Sequence, residues 1–100
     1  MLIVGFDKTK AASVPTRGNY NYGEVDASIV ITHMMMEAAD LGVDSCWVGM
    51  FDPKLTQETF NIPENIQLVS LLPIGYAAED GKPAEKHTSR KAAEETIKFI

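Results

Sequence analysis

One stretch limits what this chain can fold into more than any other, the segment Val25–Leu41. It contains no Pro and no Gly, has Glu24 and Asp26 at its start, and is followed at once by Gly42. Carboxylates suit the free N–H groups and positive end of a helix, and glycine suits the left-handed residue that closes one. The spacing therefore predicts a long helix. Ile29, His33, Met36 and Asp40 would share one face, Val30, Met34, Ala38 and Leu41 a second, and Ile31 and Met35 a third. Apolar residues thus cover most of the circumference. Such a helix is buried, either within its own fold or within an oligomer. The three successive methionines, Met34 to Met36, suit an irregular packed surface. His33 reads as a packed or hydrogen-bonded ring rather than a metal ligand.

The remainder supplies a single small domain around that helix. The chain has 100 residues, 45% hydrophobic and 23% charged. Those fractions exclude a disordered, collagen-like or coiled-coil chain. The longest apolar run, residues 66–78, is interrupted by Gln67, Ser70, Pro73 and Gly75, and is too short to cross a bilayer. Gly5 and Asp7 follow the first apolar residues immediately, which does not fit a signal peptide. Cys46 is the only cysteine. An intracellular, cytoplasmic protein without disulfides is the expectation.

Charge is unevenly spread. The net charge is −5, and between residues 20 and 80 the only base is Lys54. Nucleic-acid binding needs a broad basic face, so that acidic body excludes it. Residues 82–91 reverse the balance with Lys82, Lys86, Arg90 and Lys91 against Glu85. That segment is either a solvated arm or a site for one small anion.

Met1–Phe6 reads as a strand, apolar enough to lie mid-sheet and covered on both faces. Asp7–Tyr22 reads as a long loop rich in Gly, Asn and Pro, with Tyr20 and Tyr22 as contact residues. Ser45–Phe51 reads as a second strand ending near Gly49. Asp52 and Pro53 then open a short helix to Phe60, as N-cap and first residue. Ile66–Tyr76 reads as a third strand, with Pro73 marking an edge or a bulge. Residues 77–86 read as loop, Ser89 as the cap of a last helical turn, and Lys91–Ile100 as a frayed helix or arm. The expected class is α/β or α+β around one sheet.

Few residues carry chemistry. Cys46 lies in an apolar strand, the serines lack a nucleophile-elbow setting, no metal spacing exists, and the glycines form no phosphate loop. No catalytic side chain and no metal ligand is expected. Two features remain. Gly49, after Trp47 and Val48, lets a flat ligand approach the backbone. Ser89, Arg90 and Lys91 offer a hydroxyl, a planar fork and a point charge to a phosphate. Together they are compatible with a flat, phosphate-bearing cofactor.

The chain resembles the C-terminal half of the nitroreductase family. The resemblance rests on DASI at residues 26–29, MMMEAADLG at 34–42, SCWVGMFDP at 45–53, IPEN at 62–65, LPIGY at 72–76 and SRK at 89–91. It implies an α+β, partial nitroreductase-like fold with one small sheet and a long buried interface helix. It implies a homodimer through Val25–Leu41 that holds FMN at the dimer interface. Such an oxidoreductase takes hydride from NADH or NADPH and reduces nitroaromatic or quinone-like acceptors in a ping-pong cycle. On the resemblance, the Gly49 N–H faces flavin N5, and Trp47, Val48 and Met50 line the turn beside the ring. Arg90 matches a residue that contacts the FMN phosphate, with Lys91 and Ser89 as further contacts. The resemblance also implies an absent N-terminal half carrying an Arg-Ser-x-Arg-like phosphate motif. The chain is then expected to be a fragment, one member of a pair of chains, or a short relative. The alternative function is a catalytically silent remnant that dimerises without flavin.

Overall fold

The computed structural model describes residues 1–100 and builds the long helix over Gly23–Asp40 (α1), two residues earlier than the periodicity places it. The shift comes from Asn21, whose side-chain oxygen accepts a 2.8 Å hydrogen bond from the Gly23 N–H. Glu24 and Asp26 then occupy the first turn, where their charge suits the helix dipole. At the far end Gly42 takes φ +72°, and the Val43 N–H reaches back to the Ala38 carbonyl at 2.8 Å. This closing turn ties off carbonyls the helix leaves unpaired.

Strand β1 (Leu2–Asp7) pairs antiparallel with β5 (Ile66–Leu72), with an irregularity between Val4 and Gly5. Two short ladders flank this pair. Ser13–Val14 (β2) pairs with Tyr20–Asn21 (β3), and Asp44–Ser45 (β4) pairs with Ile74–Gly75 (β6). The class is α+β, as expected, but the sheet divides into three two-stranded ladders. Pro73 has no N–H to give and separates β5 from β6. The expected strand over Ser45–Phe51 is correspondingly reduced. It survives as β4 and an isolated bridge from Val48 to Leu71.

The other departures are local. β1 has a strand on one side only, so it is half-buried rather than enclosed in mid-sheet. The expected loop 7–22 is folded. The Asp7 carboxylate accepts from the Thr9 N–H (2.9 Å) and hydroxyl (2.6 Å), and β2 and β3 close a hairpin over a turn at Pro15–Arg17. Tyr20 and Tyr22 meet edge to face at 4.9 Å between ring centres. The short helix Pro53–Phe60 (α2) forms as expected. The Asp52 carboxylate caps the Leu55 N–H at 3.0 Å, and Asn61 closes the helix in a left-handed conformation. Beyond Gly75 the chain is an arm with a turn at Glu85–Thr88 and one turn of helix at Ala93–Thr96 (α3). Ser89 closes the first of these turns instead of opening the second, which starts from Ala92.

The core lies where α1 crosses β1 and β5. Ile31, Ser70 and Leu72 are fully enclosed, with Ala27 and Gly23 beside them. Glycine is required at position 23, because a Cβ there would collide with the Phe6 ring. Five residues are buried in all, and the surface is 8322 Å². A compact monomer of 11.0 kDa would expose about 5,600 Å². The radius of gyration is 16.9 Å, against about 13 Å for a compact 100-residue domain. The helix is therefore not buried within its own chain. One stripe packs on the sheet, while Val25, Ile29 and Met36 form a second apolar stripe facing outward.

Candidate functional site

Sheet geometry sets the properties of the segment Cys46–Met50. The Val48 N–H donates to the Leu71 carbonyl at 2.9 Å, and the Leu71 N–H returns a bond to the Val48 carbonyl at 3.1 Å. The Cys46 N–H donates to the Pro73 carbonyl at 3.1 Å. In an extended chain, successive residues turn their N–H and C=O groups to opposite edges. With Cys46 and Val48 committed to β5 and its continuation, Trp47 and Gly49 direct their backbone groups to the open edge. Neither N–H has a backbone acceptor. An outward N–H on a glycine can meet an acceptor atom of a flat ligand at close range.

Side chains frame that edge unevenly. Trp47 is 36% exposed, and its indole lies over Gly49. Val48 is half-buried against the sheet. Met50 is 98% exposed and touches little. Ser70 is buried below, where its hydroxyl donates to the carbonyls of Val48 (3.2 Å) and Leu71 (3.0 Å). Sequence reasoning did not single out Ser70. It interrupts the apolar run Leu68–Leu72, and that contrast is the signal that could have found it.

Ser89, Arg90 and Lys91 lie on the arm and are exposed. The Arg90 guanidinium donates through Nη1 to the carbonyls of His87 (2.9 Å) and Ser89 (2.8 Å). Its remaining N–H groups stay available to an anion. None of the four principal cavities is lined by any of these three residues or by Trp47–Met50. The largest, about 800 Å³, is an apolar groove along the C-terminal half of α1, between Leu2, Met34, Leu41, Leu72 and Ile74. None of these cavities therefore joins the open edge to the cationic arm. The Nδ1 of His33 hydrogen-bonds the Ile29 carbonyl at 2.9 Å.

The family model for the nitroreductase family matches residues 1–76. The chain belongs to the nitroreductase family. Among solved structures, a nitroreductase family protein from Clostridium difficile 630 is similar at 32% identity and a TM-score of 0.86. The match covers 97% of this chain and 56% of that one. The nitroreductase family protein from Streptococcus pneumoniae TIGR4 is similar in fold, with 21% identity and a TM-score of 0.69, over 86% of this chain and 44% of that one. The chain thus spans about half the length of the solved structures it matches. No match is found among curated proteins. The match to the family model includes Trp47–Met50 and stops before Ser89–Lys91. The arm nevertheless has a counterpart in the C. difficile protein, because that match extends over nearly the whole chain. No helix is long and apolar enough to cross a membrane.

Proposed function

We propose that these residues are the C-terminal half of an FMN-dependent NAD(P)H oxidoreductase of nitroreductase type, acting on nitroaromatic or quinone-like acceptors by a ping-pong cycle. The observation that carries the reading is the outward, unpartnered N–H of Gly49 on an open strand edge, inside the segment matched to the family. Bound flavin would supply the hydride chemistry. This chain's residues bind and orient. The Gly49 N–H would donate to an acceptor on the flavin ring edge. Trp47, Val48 and Met50 line the approach. Arg90 and Lys91, with the Ser89 hydroxyl, neutralise and hold the phosphate.

A homodimer through α1 belongs to the same reading. The outward stripe of Val25, Ile29 and Met36 supports it, because an apolar face of that length on a charged chain needs a cover. The second reading is a dimerising module that holds no flavin. It is favoured by the absence of the arm's cations and of Trp47–Met50 from the lining of every principal cavity.

FMN titration followed by removal of excess ligand separates the two readings. A retained flavin spectrum that bleaches with NADH or NADPH is the expected result. Arg90→Ala should then weaken FMN binding by about 1–3 kcal/mol, roughly 5- to 150-fold. A colourless protein, or an Arg90→Ala variant of unchanged affinity, contradicts the flavin reading or the role of Arg90 respectively.

A further inference from the structure

Ser70 is the one polar residue among the buried side chains of this protein. Its hydroxyl donates to two carbonyls, those of Val48 at 3.2 Å and Leu71 at 3.0 Å. These belong to the pair that fixes the register of Cys46–Met50. Each already accepts an N–H from the other residue, the Val48 carbonyl at 3.1 Å and the Leu71 carbonyl at 2.9 Å. One proton therefore bridges both oxygens as a three-centre bond.

The fold does not ask for that hydroxyl. With alanine at position 70 both carbonyls would keep their N–H partners, so no buried group would be left unpaired. Enclosing a hydroxyl has a desolvation cost that its hydrogen bonds only offset, and an apolar residue would serve the core as well. Ser70 also follows the one irregular step of the β1–β5 ladder. Val4 pairs with Ser70 and Gly5 with Leu68, which leaves Val69 without a partner. An irregularity of that kind re-aims the side chains beside it.

What the hydroxyl changes is the peptide it lands on. The Val48 carbonyl and the Gly49 N–H belong to one planar trans peptide. The pairing with Leu71 fixes that plane, and so the direction of the N–H. A second donor on the carbonyl draws electron density toward its oxygen and leaves the N–H more positive, because hydrogen bonds in a chain polarise one another. The N–H that gains is the one at the open edge.

We infer that Ser70 is a positioning residue, whose buried hydroxyl on the Val48 carbonyl strengthens the Gly49 N–H as a hydrogen-bond donor. It acts through the Val48–Gly49 peptide and touches no ligand. That the acceptor is a flavin ring rests on the reading above; the polarisation of the peptide does not.

The first test needs no ligand. In Ser70→Ala the Val48 carbonyl ¹³C and the Gly49 ¹⁵N resonances should both move upfield, the signature of a bond lost at that carbonyl. The Val48 and Leu71 amides should stay protected from exchange, since their pair remains. Unmoved resonances at Val48 and Gly49 overturn the inference. If Ser70→Ala does not fold, Ser70→Cys, a weak donor of similar size, takes its place in the same comparison. The second test is FMN titration of the variants that keep the wild-type circular dichroism. Ser70→Ala should bind FMN about two- to fivefold more weakly, and Ser70→Thr, which keeps the hydroxyl, should stay within about twofold of the wild type. Unchanged affinity in Ser70→Ala, or equal losses in both variants, would overturn the role toward the ligand. A wild-type chain that takes up no FMN would refute the flavin reading, and the resonances would still decide whether Ser70 polarises the peptide.

Discussion

Replacing Ile29 tests whether the outward stripe of α1 is an interface. Ile29 lies between Val25 and Met36 on that stripe and is 52% exposed. Fully burying an isoleucine is worth about 1.5–3 kcal/mol, so the half still exposed is worth about 0.8–1.5 kcal/mol when a partner covers it. A two-fold dimer uses the same patch on both copies, which doubles the figure to about 1.6–3 kcal/mol. Ile29→Ala should therefore raise the dimer dissociation constant roughly 10- to 100-fold. The monomer should be unharmed, because Ile29 points away from the core and alanine is the better helix former. Ile29→Asp should abolish association, since it would bury an unpaired charge. Sedimentation equilibrium over a wide concentration range measures all three proteins. A wild-type mass that is monomeric at every concentration would refute the reasoning. An alanine variant that dimerises like the wild type would move the interface off this stripe.

Two further outcomes follow from the core and from the Asp7 turn. Ile31 is fully enclosed where α1 meets the sheet, so Ile31→Ala should cost about 2–5 kcal/mol of unfolding free energy in a urea titration, and a loss under 1 kcal/mol would mean the helix does not pack there. The Asp7 carboxyl is held below its ordinary 3.8, first by the Thr9 hydroxyl, then by the Thr9 N–H, the Asn65 side chain and the Lys10 charge, against a small opposing effect of burial. A depressed carboxyl stabilises the folded state above its unfolded value and loses that contribution as pH falls through the folded value. The Thr9 amide resonance should accordingly titrate with a midpoint below 3.8; a midpoint at or above 3.8 would contradict the turn.

Much of the fold could be read from local signals. The Asp52–Pro53 start of α2, the left-handed Gly42 that closes α1 and the break at Pro73 each follow from the conformational limits of one or two residues. The hairpin in residues 13–21 was missed. Its strands are two residues each, and the Asn21 cap and Asp7 turn that organise it are side-chain bonds with no periodic signature. The site was legible in part. Residue types named Gly49 and Arg90, and resemblance assigned them to the ring and the phosphate. That the Gly49 N–H points outward is a matter of register, because it depends on Val48 rather than Gly49 pairing with Leu71.

By itself the sequence determined that residues 25–41 would be helical, that the chain would be α/β or α+β around one sheet, and that apolar residues would cover most of the helix. Those are properties of backbone preference and composition, and they need no knowledge of neighbours. Only the tertiary structure decided which stripe of α1 is buried, which edge of Cys46–Met50 stays open, and that the cations of the arm form no common cavity with that edge. The physical reason is that register and packing depend on contacts between residues far apart in sequence. Ile31 becomes the core position, and Ile29 an outward one, only once β1 and β5 have paired beneath the helix.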